Sequence, residues 1–441
     1  MRRLVLLVTL CYVCGVAPAT ASTSIAQIAV AQKGLAAAVK AGRVAPNDAA
    51  RYRGILTRTG HALPRLSGSR QQNLRAVLDD VANKADEYTA PRALTLFSML
   101  DVNTRYFGAK GPPAWHADIL GPDMVVYRYF PGHGLQFHPL ADFGALNAHL
   151  AANRLDEARR LTAALQARAI GRDDGSTVWE YEFRYLGGRA PWTSGMAQAV
   201  AAQSLARASE KLDDPSLLDL ARRAEASIPG KLTRKLAAGP WVRLYSFNTM
   251  AVFNAQLQTA IAIRDYAGIA GDEDAGALAD AMTQAAETML PKFDTGYWTR
   301  YSLGGAEETR DYHDYVIFLL GRLKTQTQSS FWSEAAARFK AYDTQAPLFE
   351  TGPPAAVAAP AKKGKAAFTF SFWLSKRSSV VVRVGSGSRS LSMTGGWHTL
   401  TWLLPRAEPG VFPVSVQARP VAGPTATTPL LPLVVLGKAA A

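Results

Sequence analysis

The sequence predicts a mainly α-helical chain, an α/α toroid of helical hairpins, followed by a C-terminal all-β sandwich domain. Apolar residues recur at helical spacing through most of the chain, and successive predicted helices are joined by loops that carry aromatic residues and glycine. Short apolar strands separated by glycine and serine turns occupy the last part. These patterns predict a cleft formed by the loops at one end of the toroid.

Residues 1–21 have the pattern of an export signal. Two arginines precede an apolar run from Leu4 to Val16, and Ala19–Ala21 has the small side chains of a cleavage site. The apolar run is shorter than the roughly 20 residues that a membrane-spanning helix needs. We therefore expect cleavage after Ala21 and a secreted or periplasmic protein with no transmembrane segment.

Cysteine use and charge limit the chemistry and the partners. Both cysteines, Cys11 and Cys14, lie in the predicted signal, so the mature chain is expected to use neither disulfides nor thiolates. A net charge of +14 attracts polyanions over long distances. Because lysine-rich runs are absent, the expected partner is an acidic polysaccharide or an anionic envelope surface and not nucleic acid. The alternative is that the charge serves solubility alone.

Composition divides the remaining chain into four parts. These are an N-terminal helical region (22–110), the toroid domain (111–345), a Pro/Ala-rich linker (346–366) and a small β-sandwich accessory domain (367–441). The helical period of the first region is carried by Ile25, Ile28, Leu35, Val39, Leu74, Val77, Leu78, Val81, Ala85 and Tyr88.

The toroid domain begins with turns around a β-like run, Met124–Phe130. A helix pair at about 140–170 is followed by a β-like hairpin, Val178–Leu186. Glu180 and Glu182 alternate along this hairpin, which predicts that they lie on a solvated face. Further helices are expected at Thr193–Leu212, Leu217–Ala226, Asn248–Ala267, Ala275–Leu290 and Asp314–Leu323.

The accessory domain is expected to contain strands at Phe368–Leu374, Ser379–Val384 and Trp397–Leu404. Glycine-rich turns separate these strands. The segment carries no catalytic signature, so it is expected to bind a surface or a ligand.

Four clusters of polar and aromatic residues lie at the predicted loops, namely Gly134–Asn147, Trp192–Gln198, Trp241–Asn254 and Pro291–Leu323. In the last cluster, Asp311–His313 precedes a helix whose apolar face repeats at helical spacing. Titratable side chains at such a loop-to-helix junction can face a cleft.

The order and spacing of these clusters resemble the C-terminal domain of the D-glucuronyl C-5 epimerase family, over roughly residues 130–345. Pro191–Gln198 is similar to the family's G-W-[YF]-S-A-M-A-Q. Met289–Gly296 with Tyr301 is similar to its M-L-P-x-Y-D-T-G and the tyrosine that follows. Asp311–His313 is similar to the Y-H near the end of the family domain. The resemblance implies inversion of C-5 of glucuronic acid residues in heparan-type polymers.

Removing a proton from the carbon next to a carboxylate requires an acid and a base on opposite faces of the sugar, and a partner for the carboxylate. The resemblance implies Tyr312 and Tyr245 as the acid/base pair, with His313 as a further catalytic residue. It implies Arg243 and Arg310 for the carboxylate, which arginine binds with two hydrogen bonds. The other substrate-binding candidates are Trp192, Trp241, His138, Tyr301 and Asn254.

Two other functional classes stay open. Leu244 occupies the place of a family glutamate, and a nonpolar side chain cannot share a proton, so a noncatalytic polysaccharide-binding envelope protein is the first alternative. A glycoside hydrolase or lyase is the second, since α/α toroids host these enzymes too. Hydrolysis needs a carboxylate pair, for which the sequence offers Glu180 and the distant Asp311.

The sequence has no metal-ligand spacing, no phosphate-binding glycine loop and no nucleotide fingerprint, so no metal and no cofactor is expected. A homodimer is an open prediction for the oligomeric state.

Overall fold

The computed structural model describes residues 21–352, 365–405 and 410–435. These residues contain twelve α-helices and fourteen strands, with a β-rich C-terminal region, so the predicted mainly α chain with a β part at its end is confirmed. The toroid and the sandwich stay predictions. No helix in the described ranges is long and apolar enough to cross a membrane. The predicted export signal lies outside the described residues except for Ala21, where the first helix begins.

The chain divides into two compact units between Thr193 and Ser194. Unit 1 begins with a helical region, which is followed by a small sheet and a helix pair. The three-stranded antiparallel sheet has the order β1-β2-β3. The elements are α1 (Ala21–Lys40), α2 (Pro46–Ala62), α3 (Gly68–Asn83), α4 (Ala90–Ala109), β1 (Asp118–Leu120), β2 (Val126–Phe130), β3 (Gly134–Phe137), α5 (Pro139–Ala151), α6 (Leu155–Gln166), β4 (Ile170–Gly171) and β5 (Thr177–Val178).

The predicted solvated face of Glu180 and Glu182 is wrong. Both side chains are buried, and both bind Arg92 of α4, while Glu180 also binds Arg172. Burial, and then the neighbouring Glu180 carboxylate, raise the pKa of Glu182 to about 7. The predicted hairpin Val178–Leu186 is wrong in extent, because strand β5 ends at Val178 and residues 179–186 take part only in isolated bridges, Tyr181–Trp192 and Tyr185–Gly188. The guanidinium that binds both carboxylates comes from a helix about 90 residues earlier, which periodicity does not reveal.

We expect Arg92→Met to lower the free energy of unfolding of the protein by about 3–5 kcal/mol, because it leaves two buried carboxylates without their shared cation. Arg58→Met is the matched control, since Arg58 pairs with Asp101 at the surface and such pairs contribute about 0–1 kcal/mol. Urea unfolding at pH 7 measures both. Equal losses in the two variants would show that Arg92 does not stabilise the carboxylates.

Helices pack as pairs along unit 2, with α9 also contacting α7 and α11. The predicted helix at Asn248–Ala267 is wrong at its start, because α9 begins at Phe253. Residues 243–252 form a loop instead, and within it the amide of Asn248 donates to the carbonyl of Tyr245 in a turn. The elements are α7 (Gly195–Lys211), α8 (Ser216–Glu225), β6 (Thr233–Leu236), β7 (Gly239–Val242), α9 (Phe253–Ala270), α10 (Glu273–Phe293), α11 (Arg310–Thr327) and α12 (Ser330–Tyr342).

The C-terminal part of unit 2 contains two sheets, with the strand orders β11-β10-β13-β14 and β12-β9-β8. Apolar side chains from both sheets form one buried cluster that includes Phe372 and Val382. The first strand lies inside the predicted linker 346–366. The strands are β8 (Phe349–Thr351), β9 (Lys365–Leu374), β10 (Ser378–Val384), β11 (Gly387–Met393), β12 (Gly396–Pro405), β13 (Gly410–Pro420) and β14 (Ala426–Val435).

Candidate active site

Backbone hydrogen bonds join Gly195, at the start of α7, to the segment that follows β7. The amide of Gly195 donates to the carbonyl of Arg243 at 3.0 Å, and the amide of Arg243 donates to the carbonyl of Leu232 at 2.8 Å. A Cβ atom at position 195 would lie 2.9 Å from the Arg243 oxygen and 3.0 Å from the Leu232 oxygen. The glycine therefore permits this close approach and fixes the place of Arg243.

A hairpin formed by residues 294–308 lies against the start of α9. The amide of Phe253 donates to the carbonyl of Tyr301 at 3.2 Å, and the amide of Leu303 donates to that of Ala251 at 2.9 Å. The turn of the hairpin is held by Asp294, whose Oδ1 accepts from the Gly296 amide at 2.8 Å. The loop from Arg243 to α9, the hairpin and α7 are thus connected through main-chain contacts.

Tyr301 and Tyr312 meet at the junction of this hairpin with α11. Their ring centroids are 5.3 Å apart with an interplanar angle of 68°, an edge-to-face contact. Tyr312 is in the first turn of α11 and is 37% exposed. Tyr312 therefore presents part of its phenol ring to solvent beside Tyr301.

His313 points in the opposite direction from its exposed neighbour and is fully buried. Its Nδ1 lies 2.8 Å from the Thr299 hydroxyl, its Nε2 lies 3.2 Å from the carbonyl of Phe339, and its ring stacks on Trp298 at 3.7 Å. The prediction that His313 contacts substrate does not fit this position. Both nitrogens are used inside the protein, so His313 holds the first turn of α11 in place.

The polar chain around His313 continues to a buried carboxyl group. The Thr299 hydroxyl lies 2.9 Å from Glu308 Oε2, and burial raises the pKa of Glu308 to about 8. Burial also lowers the pKa of His313. An ionised Glu308 accepts from the Thr299 hydroxyl. When Glu308 is protonated and His313 is neutral, Glu308 donates to Thr299, Thr299 donates to Nδ1, and Nε2–H donates to the Phe339 carbonyl. Glu308 Oε1 is buried without a hydrogen-bond partner among the described residues.

Three other residues that were expected to contact substrate have different environments in the structure. Trp241 is fully buried and stacks on Phe293 at 5.6 Å, so it is a core residue and not a platform for sugar. Asn254 is buried in the first turn of α9. The guanidinium of Arg310 is 2.9 Å from Asp314 and 3.2 Å from Asp343, so two carboxylates already neutralise it.

Two predicted residues lie in unit 1, where both are buried. His138 is the N-cap of α5, and its Nδ1 accepts a hydrogen bond from the Ala141 amide at 3.1 Å. Burial lowers its pKa well below the usual value, which fits an acceptor. The indole of Trp192 stacks on Tyr181 at 4.0 Å and donates to the Phe183 carbonyl at 2.8 Å. These contacts give His138 and Trp192 structural roles.

Arg234 is a candidate residue that the sequence did not reveal. It lies on β6, opposite Trp241 of β7, one position from the pair Thr233–Val242. Burial, and then the charge of Arg243, lower the pKa of Arg234, so the two positively charged guanidinium groups repel each other. The Nε atoms of both are buried without a hydrogen-bond partner among the described residues. Arg234 also lines a cavity of about 370 Å³ together with Lys235. Such a pair of cations suits a carboxylate.

The residues that carry this arrangement belong to a recognised family segment. Residues 172–341 match the family described as D-glucuronyl C5-epimerase C-terminus. The predicted resemblance is therefore confirmed over these residues, which we call the epimerase segment. It contains Tyr245, Tyr301, Tyr312 and Arg243, and it ends before the C-terminal sheets.

Solved structures that match this chain at low sequence identity include three enzymes. A GH76 α-mannanase from Bacteroides thetaiotaomicron is 11% identical, with 46% of this chain and 59% of the mannanase covered and a TM-score of 0.36. Cellobiose 2-epimerase from Bacillus thermoamylovorans B4167 is 11% identical (63% and 76% covered, TM-score 0.40). A sugar epimerase from a ruminal bacterium is 9% identical (62% and 74%, TM-score 0.39). No curated protein matches this chain.

The neutral state of Glu308 predicts a particular pH dependence. A carboxyl group whose pKa is raised in the folded state contributes stability that is lost as pH rises from the unfolded value, about 4.3, towards 8. We therefore expect Glu308→Gln, which keeps a neutral donor, to gain about 3 kcal/mol in free energy of unfolding relative to wild type between pH 5 and 8.

Urea unfolding across this pH range measures the difference, and the titration of His313 cancels because both proteins contain it. Glu334→Gln on α12 is the control, because its side chain is exposed. A difference between Glu308→Gln and wild type that stays constant with pH would mean that Glu308 is ionised in the folded protein.

Proposed function

We propose that this protein inverts C-5 of glucuronic acid residues in an acidic polysaccharide by removing and returning the C-5 proton. The match of residues 172–341 to an epimerase family supports this reaction class. The observation that carries the proposal is the contact of Tyr301 with Tyr312 in the first turn of α11, where Tyr312 is exposed.

Tyr312 and Tyr245 are the proposed acid/base pair. Epimerisation needs one group to take the proton from one face of the sugar and another to deliver a proton to the opposite face. Tyr245 lies in the loop between β7 and α9, where its ring stacks on Phe247 at 5.5 Å. Tyr301 contacts Tyr312 and is proposed to orient it.

Arg243 and Arg234 are the proposed partners of the uronate carboxylate. Proton loss at C-5 spreads negative charge onto that carboxylate, so cations at this position lower the energy of the transition state. Arg310 is replaced in this role, because Asp314 and Asp343 already bind it. His313 is proposed as a positioning residue for Tyr312 and not as a catalytic group.

We expect Tyr312→Phe to lower the rate of deuterium incorporation at C-5 of heparosan in heavy water by about 100-fold or more, since acid–base groups contribute about 10²–10⁴-fold. Tyr315→Phe is the matched control, because Tyr315 lies one turn further along α11, is equally exposed and donates to Gln258. Its exchange rate should stay within a few-fold of wild type. Unchanged exchange in Tyr312→Phe would remove Tyr312 from the mechanism.

One observation favours a noncatalytic polysaccharide-binding protein as the second candidate. Leu244, which replaces the family glutamate, is buried beside Tyr245, so that position offers no carboxylate for proton transfer. Heparosan binding by wild type without any deuterium incorporation would establish this second function. For either function, the proposed setting is a secreted or periplasmic protein acting on an acidic polysaccharide.

A further inference from the structure

The outer face of the β8-β9-β12 sheet exposes two tryptophans side by side. Along β9 and β12, side chains alternate between the buried cluster and this outer face. Trp373 and Trp397 are direct partners in the antiparallel register, so their side chains leave the sheet on the same side. Trp397 is 58% exposed and Trp373 is half-buried. An isolated exposed tryptophan is ordinary, whereas an adjacent pair forms a continuous apolar platform.

Hydroxyl groups continue this platform along the same two strands. Ser371 faces Thr399 with 2.8 Å between the hydroxyl oxygens, and Thr369 faces Thr401 at 3.2 Å. Each pair is a direct cross-strand partner on the outer face. A hydroxyl can donate one hydrogen bond and accept two, so each pair keeps free capacity for a polar ligand after its mutual bond.

The edge strand adds one carboxylate to the platform. Glu350 of β8 is the register partner of Trp373, so it leaves the sheet on the outer side, and it is exposed. Its oxygens accept hydrogen bonds, and its charge disfavours a polyanion bound directly at this strand. Indole faces, hydroxyls and one acceptor together suit an uncharged, hydroxyl-rich ring surface.

The platform is continuous with the epimerase segment. The ring of Tyr297 contacts Trp373 edge-to-face, with centroids 5.5 Å apart. Tyr297 belongs to the 294–308 hairpin and precedes Tyr301 by four residues. The tryptophans therefore lie next to the hairpin that carries Tyr301.

We propose that the outer face of the β8-β9-β12 sheet is a polysaccharide-binding surface in which Trp373 and Trp397 stack on sugar rings and the Ser/Thr pairs bind their hydroxyls. The C–H face of a pyranose is apolar and flat, so it packs on an indole, while its equatorial hydroxyls reach sideways to polar partners. This surface is proposed to bind a polymer through its sugar rings and not through a carboxylate. Recognition of a uronate carboxylate is proposed only for the Arg234–Arg243 pair. This binding does not depend on the proposed epimerisation.

Affinity electrophoresis of the full chain in gels that contain heparosan, or a neutral soluble β-glucan, tests this proposal. Wild type is expected to be retarded by the neutral β-glucan, and Trp397→Ala to weaken that binding by about tenfold or more, with Trp397→Tyr retaining part of it. The control is Trp115→Ala, because Trp115 is 69% exposed in unit 1 and outside the platform. Thermal unfolding checks that the variants fold. We expect Trp397→Ala to fold, because the side chain of Trp397 is mostly exposed.

The heparosan arm distinguishes an acidic from a neutral polymer: retardation by heparosan alone would overturn the proposal, because the face is argued to suit an uncharged polymer. Absence of retardation by the β-glucan, or equal retardation of wild type and Trp397→Ala, would overturn it too. A concentration-dependent dimer that Trp397→Ala dissociates would also overturn it, because the face would then be an interface between two copies. Deuterium exchange measured on a short heparosan oligosaccharide separates the two functions. If Trp397→Ala loses polymer binding while its exchange rate is unchanged, the platform is supported independently of epimerisation. If wild type shows no exchange but Trp397→Ala still loses polymer binding, the platform is supported and the proposed epimerisation is refuted.

Discussion

The buried chain of hydrogen bonds from Glu308 through Thr299 and His313 to the Phe339 carbonyl is the constraint on which the proposed site depends. It ties the 294–308 hairpin to the first turn of α11 and to α12. Adjacent helical residues point in different directions, so anchoring His313 in the core places Tyr312 at the surface. Burial lowers the pKa of His313, although the Asp343 carboxylate lies 3.9 Å from its Nε2 and opposes this shift, so burial favours the neutral ring.

Buried charge is treated in two different ways in this protein. Around Arg92, two buried carboxylates share one guanidinium, and Arg172 supplies a second cation to Glu180, which serves structure. Arg234 and Arg243 lie near each other with buried Nε atoms that have no partner among the described residues. A like-charged pair costs free energy in the unliganded protein, and an anionic ligand repays it. This contrast, more than the overall charge of +14, supports the proposal that Arg234 and Arg243 bind a carboxylate.

Motif order predicted the epimerase segment, because the similarity rests on local sequence around Gly195, Asp294 and Tyr312. Helical spacing also predicted that Val316 and Leu319 form the buried face of α11. The environment of individual polar residues was not predictable in this way. Trp241 and His313 are similar in sequence context to residues expected at a cleft, yet stacking on Phe293 and on Trp298 makes them core residues. No sequence pattern predicted Arg234 as a site residue, because its position is set by the pairing of β6 with β7, which places it opposite Trp241.

The sequence by itself determined the helical period, the mainly α class with a β-rich end, and the family resemblance, since all three are carried by residues close together along the chain. Tertiary structure alone decided which polar groups are neutralised, which are buried and which face solvent, because those properties depend on partners distant in sequence. Arg92 reaches Glu180 and Glu182 from another element, and strand pairing sets Trp373 beside Trp397. Coulomb interactions, burial and register act through space, so a linear pattern leaves them open.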